Sequence, residues 1–168
     1  MPDDGGVEGG IEWSMNNAEA TGIRSIPSDD EVEQATRTFR SVIDAAGPKP
    51  WAEKHISFPR GACGHAAELL GRYLIDRLNI RPEYVNQVAH QKIGGWQHSH
   101  AWLEWNGLTI DICGDQFGWE PVIVTRFPMF HGCGEDETRH PVCLAHQQDW
   151  WARECGSIWM ALAPYLPK

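Results

Sequence analysis

The side chains of this 168-residue chain whose types and spacing could do chemistry together are Cys63, His100 and Asp111. Cys63 follows a tight Gly/Pro-rich turn, Phe58-Pro59-Arg60-Gly61-Ala62, and opens an apolar-periodic segment. A thiolate, and not a thiol, attacks a carbonyl carbon, and the oriented N–H groups and dipole of a helix N-terminus stabilise that anion. The small residues Gly61, Ala62 and Gly64 leave room for a substrate backbone, and the N–H of Cys63 or Gly64 could donate to an oxyanion. A base must hold the thiol proton, and a carboxylate must hold the base in one tautomer. His100 and Asp111 fit those two roles. Trp102 and Trp96 are candidates to wall a cleft, with ordinary packing as their alternative.

The element that would bring the last two together is a hairpin. Asn106-Gly107 lies between the alternating runs Ser99–Trp105 and Leu108–Cys113, the signature of a two-residue type I′ turn. That turn sets Trp105 against Leu108, Glu104 against Thr109 and Leu103 against Ile110, and by extension Trp102 against Asp111 and His100 against Cys113. Ala101, Leu103, Trp105, Leu108, Ile110 and Ile112 then form one apolar face. His100, Trp102, Asp111 and Cys113 share the other, with His100 and Asp111 as diagonal neighbours about 7 Å apart at the backbone. Cys113 competes as the thiol opposite His100 but lacks a helix terminus to activate it. Asp115 would replace Asp111 if the hairpin carried a bulge. His65 and His98 read as surface or packing residues, and Gln116-Phe117 as a structural corner.

Around that centre the pattern alternates helical and extended segments. Ser28-Asp29-Asp30-Glu31 reads as an N-cap with a capping box, and Val32, Ala35, Phe39, Val42, Ile43 and Ala46 continue a helix that Gly47-Pro48 ends. This helix is read as packing, with no chemistry on it. The segment from Cys63 to Asn79 is a second amphipathic helix with Cys63 in its first turn. Tyr84–His90 is a short strand, Ile93-Gly94-Gly95-Trp96 a turn, and Pro121–Phe127 a further strand. Residues 128–147 read as loop, and the tail from Asp149 to Leu162 as one helix that Pro164 closes. Residues 1–27 form an extended or disordered lead-in, and residues 28–168 a single domain. The expected fold class is α+β, with two helices ahead of an antiparallel sheet and a C-terminal helix packed on it.

Composition removes several function classes. With 23 acidic against 14 basic residues and a formal net charge of -9, the surface lacks the cation excess that phosphate backbones and anionic membranes need. No apolar run approaches a membrane span, and the acidic, glycine-rich start lacks the n- and h-regions of a signal peptide. Five cysteines without framework spacing suit a reducing compartment, so a cytoplasmic protein is expected, although an exported effector would carry the same composition. The rival from another class is a zinc module built from His131, Cys133, His140, Cys143 and His146, whose spacing matches no paired-knuckle pattern. A domain of the same fold without turnover is the other rival. No cofactor is expected.

The order of a cysteine at a helix start, a strand reading His-Ala-Trp-Leu-Glu and a partner reading Gly-Leu-Thr-Ile-Asp resembles the transglutaminase-like branch of the papain-like cysteine enzymes. Phe-Pro-Arg-Gly-Ala-Cys-Gly and Ile-Asp-Ile-Cys-Gly-Asp-Gln-Phe are similar to stretches in bacterial members, so the resemblance covers about residues 55–125. It implies a papain-like fold with Cys63 as nucleophile, His100 as base and acid, and Asp111 as orienting group. It also implies acyl transfer from an amide of a protein or peptide substrate: peptide cleavage, glutamine deamidation or transamidation. The family's side-chain oxyanion donor upstream of the cysteine has only Trp51 and His55 as candidates here.

Overall fold

The computed structural model describes residues 25–93, 96–143 and 148–167, with backbone alone for 89–93, 96 and 97. The expected lead-in therefore lies, up to residue 24, outside the described residues. Ser28 starts the first helix through both halves of a capping box: its hydroxyl accepts the Glu31 N–H at 3.3 Å, and its own N–H donates to the Glu31 carboxylate at 2.8 Å. Helix α1, Asp29–Ala46, buries Val32, Ala35, Phe39 and Ile43 and stops at Gly47. A 3-10 turn over Lys49–Lys54 then drops Trp51 into the core. Helix α2, Cys63–Leu78, ends where Asn79 takes a left-handed conformation. Phe39 stacks on Tyr73 at 5.3 Å and joins the two helices.

Five antiparallel strands follow: β1 (Glu83–Ile93), β2 (Trp96–Trp105), β3 (Leu108–Asp111), β4 (Ile123–Thr125) and β5 (Glu135–Pro141). They lie in the order β4-β3-β2-β1-β5, an open sheet, so the chain is α+β. Helix α2 packs on β2 and β1, its Leu69, Leu70 and Leu74 sharing one buried cluster with Leu103, Ile110 and Ile112. Asn106 and Gly107, at φ 48° and 76°, make the tight hairpin turn, and the pairs Leu103–Ile110, Glu104–Thr109 and Trp105–Leu108 form in the expected register. The ladder goes no further. β3 ends at Asp111, whose carboxylate oxygen Oδ1 accepts the Cys113 N–H at 2.8 Å and turns the chain away from β2.

Several expectations are corrected. β5 falls inside the stretch read as loop, because Glu135–Pro141 is an edge strand with nearly every side chain exposed and so carries no apolar alternation. β1 runs to Ile93 and β2 begins at Trp96, both longer than read, while the strand expected over Pro121–Phe127 shrinks to Ile123–Thr125. The tail breaks at Cys155 into α3 (Gln148–Glu154) and α4 (Gly156–Leu162). Helix α4 packs chiefly against the 49–54 turn and α1. Among the described residues no helix is long and apolar enough to cross a membrane.

Helix α1 also does more than pack. Arg40, 8% exposed, donates to the Ile112 carbonyl at 2.7 Å, to the Pro121 carbonyl at 3.2 Å and to both oxygens of Asp115 at 3.1 and 2.7 Å. It thereby clamps the chain that leaves β3. Truncating Arg40→Ala strands the Asp115 charge and two carbonyls, and is expected to lower unfolding free energy by about 3 kcal/mol, or Tm by roughly 6 to 12 °C. Urea and thermal denaturation read this directly.

Candidate active site

Cys63 is the first residue of α2, and its N-cap, Ala62, has no side chain to bond the exposed helix end. The N–H groups of Cys63 and Gly64 therefore have no intrahelical acceptor and are available to an anion. His100 reaches the same place from β2. It is fully buried, and its Nε2 lies 2.8 Å from Asp111 Oδ2. A carboxylate only accepts, so that nitrogen carries a proton and Nδ1 is the one left for Cys63. The diagonal across the hairpin closes because β3 ends at Asp111, which frees that side chain to turn toward His100.

The electrostatics follow from these contacts. Burial pulls His100 down, but hydrogen bonds to Asp111 and Cys63 and their charges outweigh it and raise the imidazole to about 9. Burial would raise the Cys63 thiol. Instead the bond to His100 and its charge, together with the Ala101 N–H and the Gln116 amide, bring it below its ordinary value. Burial alone would also raise Asp111, yet its bonds from His100 and His131 push it far below the usual carboxylate range. Together these shifts favour a thiolate–imidazolium pair. Burial pushes Cys113, Cys143 and Cys155 the other way, Cys143 to about 12.

Attack on an amide by such a pair would need both members charged. Any turnover by this pair would therefore rise with pH as Cys63 ionises and fall as His100 loses its proton at about 9, a bell that a kcat/KM profile against pH would trace.

Gln116, read from sequence as part of a corner, is a member of the site. The 3-10 turn Gly114–Phe117 carries its amide to 3.1 Å from His100 Nδ1 and into bonding reach of Cys63. An NH₂ aimed at Nδ1 suits the neutral imidazole; once Nδ1 is protonated, the same NH₂ serves the thiolate. Asp115, the neighbouring residue, pairs with Arg40 and not with His100. Tyr84, on β1, sets its hydroxyl where a Cβ on Gly64 would be 3.2 Å away. Burial and the charge of Cys63 push the phenol up, so it stays a donor.

A second imidazole completes the cluster. His131 Nε2 lies 3.0 Å from the same Asp111 oxygen that His100 contacts. Trp102, 1% exposed, packs its ring against both imidazoles and donates its Nε1–H to Glu104 at 3.1 Å, a place beneath the site and not on a cleft wall. The wall facing outward is formed by Phe117 and Trp119, which meet His100 edge-on at 4.9 and 5.8 Å, with the more exposed Phe130 stacked on Trp119 at 4.5 Å. The Trp96 side chain and His146 lie outside the described residues.

Trp51 is wholly buried against Phe58, and His55 is exposed at the end of the 49–54 turn. His65 turns toward Glu154 and Trp150, and His98 is exposed. Of the proposed zinc ligands, His131 is on Asp111 while His140 stacks on Tyr84 near Glu68 and Cys133 is exposed. No three of them converge among the described residues. The one cluster of ligand-type atoms there, His100, Asp111 and His131 within 4.8 Å, is the hydrogen-bonded group already described. Neither Gln116 nor His131 has a periodicity that marks it, since both arrive on turns. Comparison with family models, curated proteins and solved structures returns no match.

Proposed function

We propose that this protein opens amide bonds through a cysteine thioester, as a member of the transglutaminase-like branch of the papain-like enzymes. The observation that carries this reading is the chain of contacts from Cys63 through His100 to Asp111, with a thiol made acidic at a helix N-terminus and an imidazole made basic by a buried carboxylate. The Cys63 thiolate attacks the carbonyl carbon, and the C=O pair moves onto oxygen. The Cys63 or Gly64 N–H and the Gln116 amide donate to that oxyanion, with the Tyr84 hydroxyl beside Gly64. As the C–N bond breaks, His100 Nδ1 gives its proton to the leaving nitrogen. Water or an amine then attacks the thioester, gives a proton back to His100, and releases the thiolate.

The acyl donor is a peptide or protein glutamine or a backbone amide. Cys63 is half-buried whereas His100 and Asp111 are fully enclosed, so the substrate comes in over the thiol, beside Phe117, Trp119 and Phe130. Incubating the protein with glutamine-containing peptides, with and without a primary amine, separates the outcomes: ammonia release alone means deamidation, amine incorporation means transamidation, and new termini mean proteolysis. The reading predicts at least one of these, abolished by Cys63→Ala. A Cys63→Ala variant that keeps the protein's full biological effect would instead support the domain without turnover.

A further inference from the structure

Asp111 is bonded from three sides. Its Oδ1 accepts the Cys113 N–H at 2.8 Å, and its Oδ2 lies 2.8 Å from His100 Nε2 and 3.0 Å from His131 Nε2. All three side chains are buried, at 0% exposure for His100, 2% for Asp111 and 7% for His131. A triad needs only one imidazole on its carboxylate. The second comes from a different part of the chain, the segment after β4, whose neighbouring residues Phe127 and Met129 are 86% and 82% exposed. That segment is pinned at three points: Phe130 stacks on Trp119, His131 enters the interior, and the Gly134 N–H donates to Gln87 Oε1 at 2.9 Å. A residue whose only duty was to fill this space would be apolar, because burying an imidazole is favourable only with its N–H satisfied.

We propose, building on the amide-opening function above, that His131 is a positioning residue of the catalytic group, so that the site works as Cys63-His100-Asp111-His131. Its Nε2–H shares Oδ2 with His100 and fixes the carboxylate plane, which leaves the rotation of Asp111 no freedom to release the base. The bond also stabilises the ionised form of Asp111, on which the cationic form of His100 depends. His131 touches neither the thiol nor the carbonyl that Cys63 attacks; it acts through Asp111.

The test compares His131→Phe, which keeps a flat ring and removes the donor, with His131→Gln, whose amide can place an N–H near the same point. The readout is the rate at which iodoacetamide alkylates Cys63 at pH 7, followed by mass spectrometry, alongside Tm. His131→Phe is expected to slow alkylation about threefold, and His131→Gln to return it close to the wild-type rate. An unchanged rate in His131→Phe, with His100→Ala slow, would overturn the role of His131 and leave the proposed function standing. Equal slowing in both variants, tracking a common loss of Tm, would reduce His131 to packing. Equimolar zinc in the purified protein, with faster alkylation once a chelator removes it, would replace the hydrogen-bonded role with a metal-bridged one. If His100→Ala is itself as reactive as wild type, the function on which this inference rests falls instead.

Discussion

His100→Ala is expected to slow alkylation of Cys63 at pH 7 by about tenfold and to reduce amide turnover by about 10⁴-fold or more. The two magnitudes differ for a physical reason. Without His100 the thiol loses its charge partner and keeps its burial, so its pKa rises. Each unit by which the thiol pKa then stands above 7 removes about nine-tenths of the thiolate at neutral pH, but a more basic thiolate is also the better nucleophile, which returns about threefold. Alkylation, needing only the thiolate, therefore falls by about threefold per unit. Turnover needs in addition a proton for the leaving nitrogen, and His100 Nδ1 is the group placed to give it. Parallel measurement of the two rates in one variant separates activation of the nucleophile from general acid catalysis. Equal losses in both would remove His100 from the second role.

The second large effect lies at Asp111. Asp111→Asn keeps the shape and removes the charge, so His100 loses the partner that holds its tautomer and its proton, and turnover is expected to fall by about 10⁴-fold. Asp111→Ala goes further, because His100 Nε2–H, His131 Nε2–H and the Cys113 N–H all lose their acceptor in a dry interior. A loss of about 3 to 5 kcal/mol in unfolding free energy is expected at pH 7. The sign with pH is set by the folded carboxylate lying below its unfolded value of 3.8. Its contribution is full above that value and is lost as pH falls below it, so wild type and Asp111→Ala should converge in acid. His100 behaves oppositely: raised to about 9, its contribution is full below 6.5 and fades as pH climbs through 9. Denaturation midpoints against pH for the two proteins read both limbs. A difference between them that stays constant from pH 7 down to pH 3 would contradict this assignment.

The parts of this molecule legible in the amino-acid order are those fixed by neighbours in the chain. The capping box at Ser28, the stop at Asn79, the start of α2 at Cys63 and the Asn106-Gly107 turn are all local, and each appears where its residues place it. The hairpin register put His100 and Asp111 on adjoining strands, although their bond forms where the ladder has already ended. What stayed hidden depends on contacts across the chain. β5 is a strand because β1 offers it an edge, and nothing in Glu135–Pro141 announces burial. Gln116 belongs to the site because Arg40, 75 positions before its neighbour Asp115, clamps the turn that presents it. His131 reads in isolation as a metal ligand near Cys133, and only the return of its loop over Trp102 and Trp119 sends it to Asp111.

Competition within one polypeptide decides whether Cys63 is an activated thiolate. Cys133 is exposed, whereas Cys63 is half-buried, so access alone favours Cys133. With limiting iodoacetamide at pH 6 to 7, and the labelled peptides quantified by mass, Cys63 is expected to be alkylated first and to near stoichiometry. Labelling that favours Cys133 and reaches Cys63 only as the pH approaches 9 would contradict it.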